Sequence, residues 1–307
     1  MSDFTRVAVL GAGLIGGSAA LHLQRAGVDV VVVDADEHTR SVALGRGLAV
    51  AETIPGDRDL VLVATPLDAV VAALTAAAEA APDAVLADLG SVKATPAEAA
   101  AQGGFAERYV GLHPMAGSEH AGIDHADADL LCEVTWALTR GSGPVADVVA
   151  WVAERFRATV AVLDVAEHDA SVAVVSHTPH VVAQALLELL EGADDLPAAR
   201  HLAAGSFASA TRVAGTNPAR TFNMLNENRE ALAVVLDRFL AVLAGCRADL
   251  EDPAALRARL EAAEAGADAV RRPTPAWQPC ADVAAAVGGT DAILVRHRGS
   301  GWETAPV

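Results

Sequence analysis

The segment Val7–Ser18, VAVLGAGLIGGS, narrows the possible fold more than any other stretch of the chain. A β-branched run passes directly into G-x-G-x-x-G, supplied by Gly11, Gly13 and Gly16. In such a turn the first glycine lets the chain reverse and the second leaves room for a pyrophosphate against the backbone. The third lets strand and helix pack closely, with the helix N-terminus facing the anion. Leu14 and Ile15, between the second and third glycines, belong with them as cofactor-binding positions. A second strand, VDVVVVD, ends at Asp34, eighteen residues after Gly16, where a carboxylate accepts hydrogen bonds from ribose hydroxyls. Asp34, Asp36 and Glu37 would repel a 2′-phosphate, so NAD is favoured over NADP, and Arg40 is the one nearby group that tempers this.

The same alternation continues through the first half. Strand-like runs at Arg6–Leu10, Val28–Val33, Leu60–Ala64, Ala84–Asp88, Tyr109–Leu112, Thr135–Thr139 and Thr159–Leu163 are separated by helical stretches at Gly16–Ala26, Pro66–Ala80, Thr95–Ala101 and Pro144–Phe156. Continuous apolar strands between helices imply an α/β fold, a Rossmann-like doubly wound parallel sheet covered on both faces. From about Val165 strand signals almost vanish. Glu167–Glu191, Pro197–Gly215, Pro218–Leu250 and Pro253–Ala267 read as an all-helical domain. The expected organisation is therefore a nucleotide-binding domain over 1–165, a helical domain over 166–270 and a C-terminal tail over 271–307 with one strand-like run, Ala292–Arg296.

Composition removes other function classes. With 52% hydrophobic and 20% charged residues in 307, the chain is not intrinsically disordered. Lys and Arg number 22 against 40 Asp and Glu, and a net charge of −18 disfavours nucleic acid and anionic membrane as partners. Cys132, Cys246 and Cys280 are odd in number and widely spaced, which suggests neither a disulfide framework nor a zinc site and fits a cytoplasmic protein. No signal sequence or membrane span is expected, because the apolar runs are short and interrupted.

Ligands of open α/β sheets bind at the carboxyl ends of the strands. Those ends place Thr65 and Pro66, then Asp88 and Ser91, on the nicotinamide side of the crevice. His113 directly follows a buried strand and precedes a loop containing Ser118 and Glu119, where an imidazole can face a bound substrate. In the helical half, His168 and Asp169 precede Ser176-His177-Thr-Pro179-His180, and Pro179 should kink the helix and free the Val175 carbonyl. These residues lie about three helical turns apart, too far to share one ion, and HxxH lacks a third ligand, so no metal is expected. Arg212 and Arg220 are cations in an otherwise acidic chain, suited to holding carboxylates.

Taken in order, GLIGGS, D-x-G-SVK, HPMAGSE, HD, SHTPH and then TR followed by NP resemble the prephenate dehydrogenase family of tyrosine biosynthesis, over about Val7 to Asn228. The resemblance implies a Rossmann domain joined to a helical dimerisation domain, hence a homodimer, with the substrate between them. It implies NAD-dependent oxidation of prephenate with loss of carbon dioxide, giving 4-hydroxyphenylpyruvate. By the same resemblance His113 is the base that takes the proton of the ring hydroxyl, and Ser91 touches that hydroxyl and the nicotinamide. Arg212 anchors a carboxylate, His180 meets the substrate side chain, Ser118 and Glu119 lie at the entrance, and Asp169 lies near the helical wall, with His177 in support. The second histidine leans toward prephenate. Thr221, where the family commonly has Trp, and Asn223, where Asp is frequent, leave room for arogenate or an amino-substituted prephenate. No regulatory ACT domain is recognisable after Ala267. Two other readings are a different dehydrogenase of Rossmann-plus-helical layout and a non-catalytic NAD sensor. The β-hydroxyacid version of the first would need a lysine in the helical half, and none follows Lys93.

Overall fold

The structure is a computed structural model and describes every residue except 1, 2, 118, 119, 194, 216, 272 and 273. Its first half runs β1 (Arg6–Leu10), α1 (Leu14–Arg25), β2 (Asp29–Val33), α2 (Glu37–Gly45), β3 (Ala49–Val50), β4 (Leu60–Val63), α3 (Val70–Ala80), β5 (Val85–Asp88), α4 (Ala94–Gln102), β6 (Tyr109–Pro114), β7 (Thr135–Thr139), α5 (Val145–Arg155) and β8 (Thr159–Leu163). Strands β3, β2, β1, β4, β5 and β6 are neighbours in that order and all parallel. The chain builds outward from β1 in one direction, then returns to build from β4 in the other. The reversal between β1 and β4 is the crevice where open sheets bind ligands.

Strand residues divide by parity between two cores. Val7, Val9, Val30, Val32, Leu60 and Leu62 pack on one face with Ala19, Ala20 and Leu23 of α1 and Val148, Val149 and Val152 of α5. Ala8, Val31, Val33, Val61, Val63 and Leu86 pack on the other with Val70, Leu74 and Ala77 of α3 and Ala100 of α4. Both faces are covered, which is why the strands read as unbroken apolar runs instead of alternating ones. The two-residue β3 was not legible in the sequence, since a strand that short carries no period.

After β6 the sheet ceases to be purely parallel. β7 is antiparallel to β6, and β8 is parallel to β7. Residues 271–307, expected as a tail with one strand-like run, instead carry β9 (Gln278–Cys280), α13 (Val283–Val287), β10 (Ile293–Arg298) and β11 (Gly301–Pro306). β10 pairs with β8 and β11, and β11 with β9, giving one eleven-stranded sheet. Val283, Val287 and Val295 enter the same core as α1 and α5. Three prolines, at 273, 275 and 279, obscured the strand pattern; Pro279 is accommodated in the edge strand β9, where a missing ladder donor is tolerated.

Between β8 and β9 the chain is helical: α6 (Val165–Val172), a π-helical turn (Ala173–His177), α7 (Thr178–Glu191), α8 (Ala199–Leu202), α9 (Gly205–Thr211), a 3₁₀ turn (Arg212–Gly215), α10 (Pro218–Glu227), α11 (Arg229–Asp249) and α12 (Pro253–Arg271). Pro179 explains the π turn, because its ring cannot donate to Val175 and crowds that carbonyl. Thr178 Oγ1 donates 2.7 Å to the Ala173 carbonyl beside it. The run expected over Pro218–Leu250 breaks at Asn228, whose side chain bonds elsewhere, and the run expected over Pro197–Gly215 is split into α8, α9 and the 3₁₀ turn. The continuous stretch Val165–Glu191 is long and apolar enough to cross a membrane by length and composition, with mean hydropathy 1.2. It nevertheless holds His168, Asp169 and His177 buried within a polar network, as expected of a helix packed in a domain.

Replacing Val295, fully buried where the C-terminal strands meet the main core, tests whether residues 271–307 are integral to the sheet. Val295→Ala should cost about 2 kcal/mol of stability in chemical denaturation, whereas a detached tail would show no change.

Candidate active site

At the crevice, Gly11 adopts φ +90, and a Cβ there would meet the Ala64 carbonyl and the Thr65 nitrogen at 2.9 Å. At Gly16 a Cβ would lie 1.9 Å from the Gly11 carbonyl oxygen. Gly13 differs, because a Cβ there would meet nothing within 4 Å. Two glycines are thus demanded by the chain's own packing, while the third borders open space in which a ligand backbone can sit. Gly13 is the N-cap of α1, with no side-chain cap, and the first amides of the helix, including those of Leu14 and Ile15, point out of its N-terminus. Asp34 holds this turn: one carboxylate oxygen accepts from Ala12 N at 2.7 Å and the other from Asp36 N at 2.9 Å. Arg40 donates to the carbonyls of Asp34 and Ala35 at 2.8 and 2.7 Å, so its guanidinium is engaged with the end of β2. Across the crevice, Thr65 Oγ1 is buried without a hydrogen-bond partner in the protein. The open space at Gly13, the outward amides of α1 and this orphaned hydroxyl fit a dinucleotide.

The end of β5 departs from expectation. Asp88 is fully buried, and its carboxylate accepts from Tyr109 OH at 2.6 Å, from Gly90 N at 2.9 Å and from the Lys93 ammonium. Expected as a cofactor ligand, Asp88 instead neutralises Lys93, which also donates to the Leu112 carbonyl at 2.8 Å. Burial lowers Lys93 below its ordinary value, and Asp88 opposes that shift. Lys93, the chain's only lysine, ties the ends of β5 and β6 together beneath the site. A sole lysine placed just after a strand end was the available signal.

Asp169, expected near the substrate wall, is likewise turned inward. Its oxygens accept from Lys93 N and Ala94 N, both at 2.9 Å, which caps the N-terminus of α4, and from His168 Nδ1 at 2.7 Å. Burial works against its ionisation, but the bonds from His168, Lys93 and Ala94 hold Asp169 below its ordinary value. His168 Nε2 lies 3.1 Å from His113 Nδ1. Asn228, which no sequence motif singled out, donates 2.8 Å to the Asp169 carbonyl and meets His177 Nδ1 at 3.0 Å.

His113 ends β6 and is held well below its ordinary value by burial, with His168, Lys93 and His177 adding to the effect. Burial also pushes His177 down to about 4, and its Nε2 is buried without a partner. His180 is lowered by burial and then by Arg220 and Arg212, and its Nδ1 is likewise unpartnered. These couplings trace a band of neutral imidazoles from His113 through His177 and His180 to two guanidinium groups on the far helices. Ser91 sits half-buried between β5 and α4. Ser118 and Glu119 lie outside the described residues. Apart from this band, His22, Asp129 and Cys132 bring possible ligand atoms within 4.8 Å of one another. Both nitrogens of His22 already face the Ala128 and Arg155 carbonyls, and Asp129 pairs with Arg25, so these donors are engaged in holding the fold.

A nucleotide crevice beside a neutral imidazole and a cationic wall defines a dinucleotide-dependent dehydrogenase. The chain belongs to the prephenate dehydrogenase family: residues 19–165 match the prephenate dehydrogenase nucleotide-binding domain and residues 164–255 the prephenate dehydrogenase dimerization domain. It is 32% identical to cyclohexadienyl dehydrogenase of Zymomonas mobilis over 79% of this chain and 87% of that one. It is 29% identical to prephenate dehydrogenase of Lactococcus lactis over 76% of this chain and 68% of that one. Among solved structures, Synechocystis arogenate dehydrogenase superposes with a TM-score of 0.74 at 27% identity, covering 85% of this chain and 98% of its own. The β9–β11 strands lie beyond both matched regions.

Two tests follow from this geometry. Gly13→Ala should leave thermal stability unchanged and raise the Kd for NAD at least about tenfold, while Gly16→Ala should lower Tm by several degrees, because only the second forces backbone apart. Because His177 is depressed in the folded state, the unfolded chain binds its proton first as pH falls below 6.5. Stability is therefore unaffected by His177 above 6.5, falls with pH between 6.5 and about 4 and levels off below that. His177→Gln should flatten that part of the denaturation profile.

Proposed function

We propose that the chain oxidises prephenate with NAD to 4-hydroxyphenylpyruvate, carbon dioxide and NADH, with His113 as base. The observation that carries this reading is the depressed His113 at the end of β6, neutral at physiological pH. Gly11, Gly13, Leu14, Ile15, Gly16, Asp34, Thr65 and Pro66 would hold the dinucleotide, whose nicotinamide supplies a hydride acceptor when bound. His113 takes the proton from the C4 hydroxyl as the C4 hydride departs. The C4 oxygen becomes a carbonyl, the bond from the ring to its carboxylate breaks to release carbon dioxide, and that electron pair restores the aromatic ring. The phenolate oxygen then recovers a proton. Ser91 orients the hydroxyl, while Arg212 and His180 anchor the side-chain carboxylate and keto group. Ser118 and Glu119 match family positions at the entrance.

A homodimer through the helical region is favoured by exposed Val174, Val175, Leu189, Phe222, Val234 and Leu243 on a domain whose own core comprises Ala173, Leu232 and Val235. Three free cysteines suit a reducing cytoplasm. Arogenate or an amino-substituted prephenate is the second reading, favoured by Thr221 where the family commonly has Trp, since a smaller side chain admits a different substituent.

NADH formation with prephenate and arogenate side by side tests the assignment. His113→Asn should lower kcat/KM by at least about 100-fold, and retained activity would refute the base. Arg212→Ala should raise KM about tenfold with a smaller effect on kcat. Since His113 is depressed, kcat/KM should stay level as pH falls through 6.5 and decline only well below it, where the base protonates.

A further inference from the structure

We infer that His168, held by Asp169, is a positioning residue that sets the tautomer of His113 and shares the charge it acquires. The inference deepens the proposed function and rests on the reading of His113 as the base.

The order of donors begins at the carboxylate. Asp169 can only accept, so at 2.7 Å the Nδ1 of His168 donates to it. A neutral His168 then carries its lone pair on Nε2, which faces His113 Nδ1 at 3.1 Å. The hydrogen in that contact belongs to His113 Nδ1, and the lone pair of His113 lies on Nε2, the nitrogen left for the substrate. The opposite order would require an imidazolium at His168 and would put a hydrogen on the nitrogen that has to accept.

The same contact matters after proton transfer. His113 is then an imidazolium, and positive charge on His168, the Lys93 ammonium at the start of α4 and His177 of the π turn all disfavour its charge, so His168 supports it only as the neutral acceptor that its bond to Asp169 makes it. Asp88 is committed to Lys93, and His177 to Asn228, the residue between α10 and α11. Asp169, reached through His168, is the carboxylate whose hydrogen-bond chain ends on His113. Asp169 also caps α4 through Lys93 N and Ala94 N, so the loop carrying Ser91 and the ring of His113 are registered by one side chain.

The test uses the full-length enzyme with 15N-labelled histidine. In the ligand-free wild type, His113 should show the Nδ1–H tautomer. His168→Leu should lose that preference and lower kcat by about 100-fold with KM within about threefold, moving the acid limb of the pH profile as well. His168→Gln offers an amide oxygen to Nδ1–H and should keep the tautomer and recover about tenfold of the lost kcat. If the leucine variant fails to fold, the wild-type spectrum and the glutamine variant decide the matter. An Nε2–H tautomer in the wild type, or wild-type kcat and pH profile in His168→Leu, would overturn the inference. Failure of the base reading appears separately, as full activity in His113→Asn while the wild-type spectrum still shows the Nδ1–H tautomer of His113.

Discussion

The bonds made by the Asp169 carboxylate join the helical half of the chain to the sheet half. α6 leaves β8 almost at once, and its first turns bring Asp169 to the N-terminus of α4, where two backbone amides have no helical acceptor. A carboxylate there compensates the helix dipole as well as the orphan donors. Because the same oxygen that caps α4 accepts from His168, a contact needed for the fold also orients groups around His113. Thr95 Oγ1 donating to Glu227 at 2.9 Å ties α4 to α10 on its other side. Polar contacts at one strand end therefore help to position the helical region against the sheet.

Much of the fold was legible because it depends on local chemistry. Glycine spacing and buried β-branched runs locate β1, β2, β4, β5, β6, β7 and β8 to within a residue or two, since a strand covered on both faces needs apolar side chains at every position. β3 was illegible because two residues have no period; of the C-terminal strands β10 was read as the run Ala292–Arg296, while β9 is three residues around Pro279 and β11 has few apolar residues. The helical breaks at Asn228 and after Leu202 come from tertiary contacts and loop geometry that propensity does not report.

The site was legible in residue identity but less so in direction. The sequence singled out His113, Ser91, Arg212 and His180 as candidates, yet Asp88, read as a ligand from its place at a strand end, and Asp169, placed near the helical wall by the resemblance, are both buried. A strand end exposes one side of the chain to the crevice and buries the other, and single positions do not say which. The pairing of Asp88 with Lys93 was visible only in the rarity of lysine, and Asn228 only once the helices were packed.

The net charge of −18 takes on a different sense in this setting. Substrate and cofactor are anions, and an acidic surface repels both at long range, though salt at physiological strength screens that repulsion within about 8 Å. Attraction must therefore be local. Burial disfavours the charged forms of His113, His177 and His180, so they add no charge to the approach. Positive charge is left to Arg212 and Arg220 on the helices and to the outward amides of α1 at the nucleotide turn. Local positive charge and outward amides are thus offered by separate parts of the chain, while the imidazole of His113 is kept uncharged by its burial.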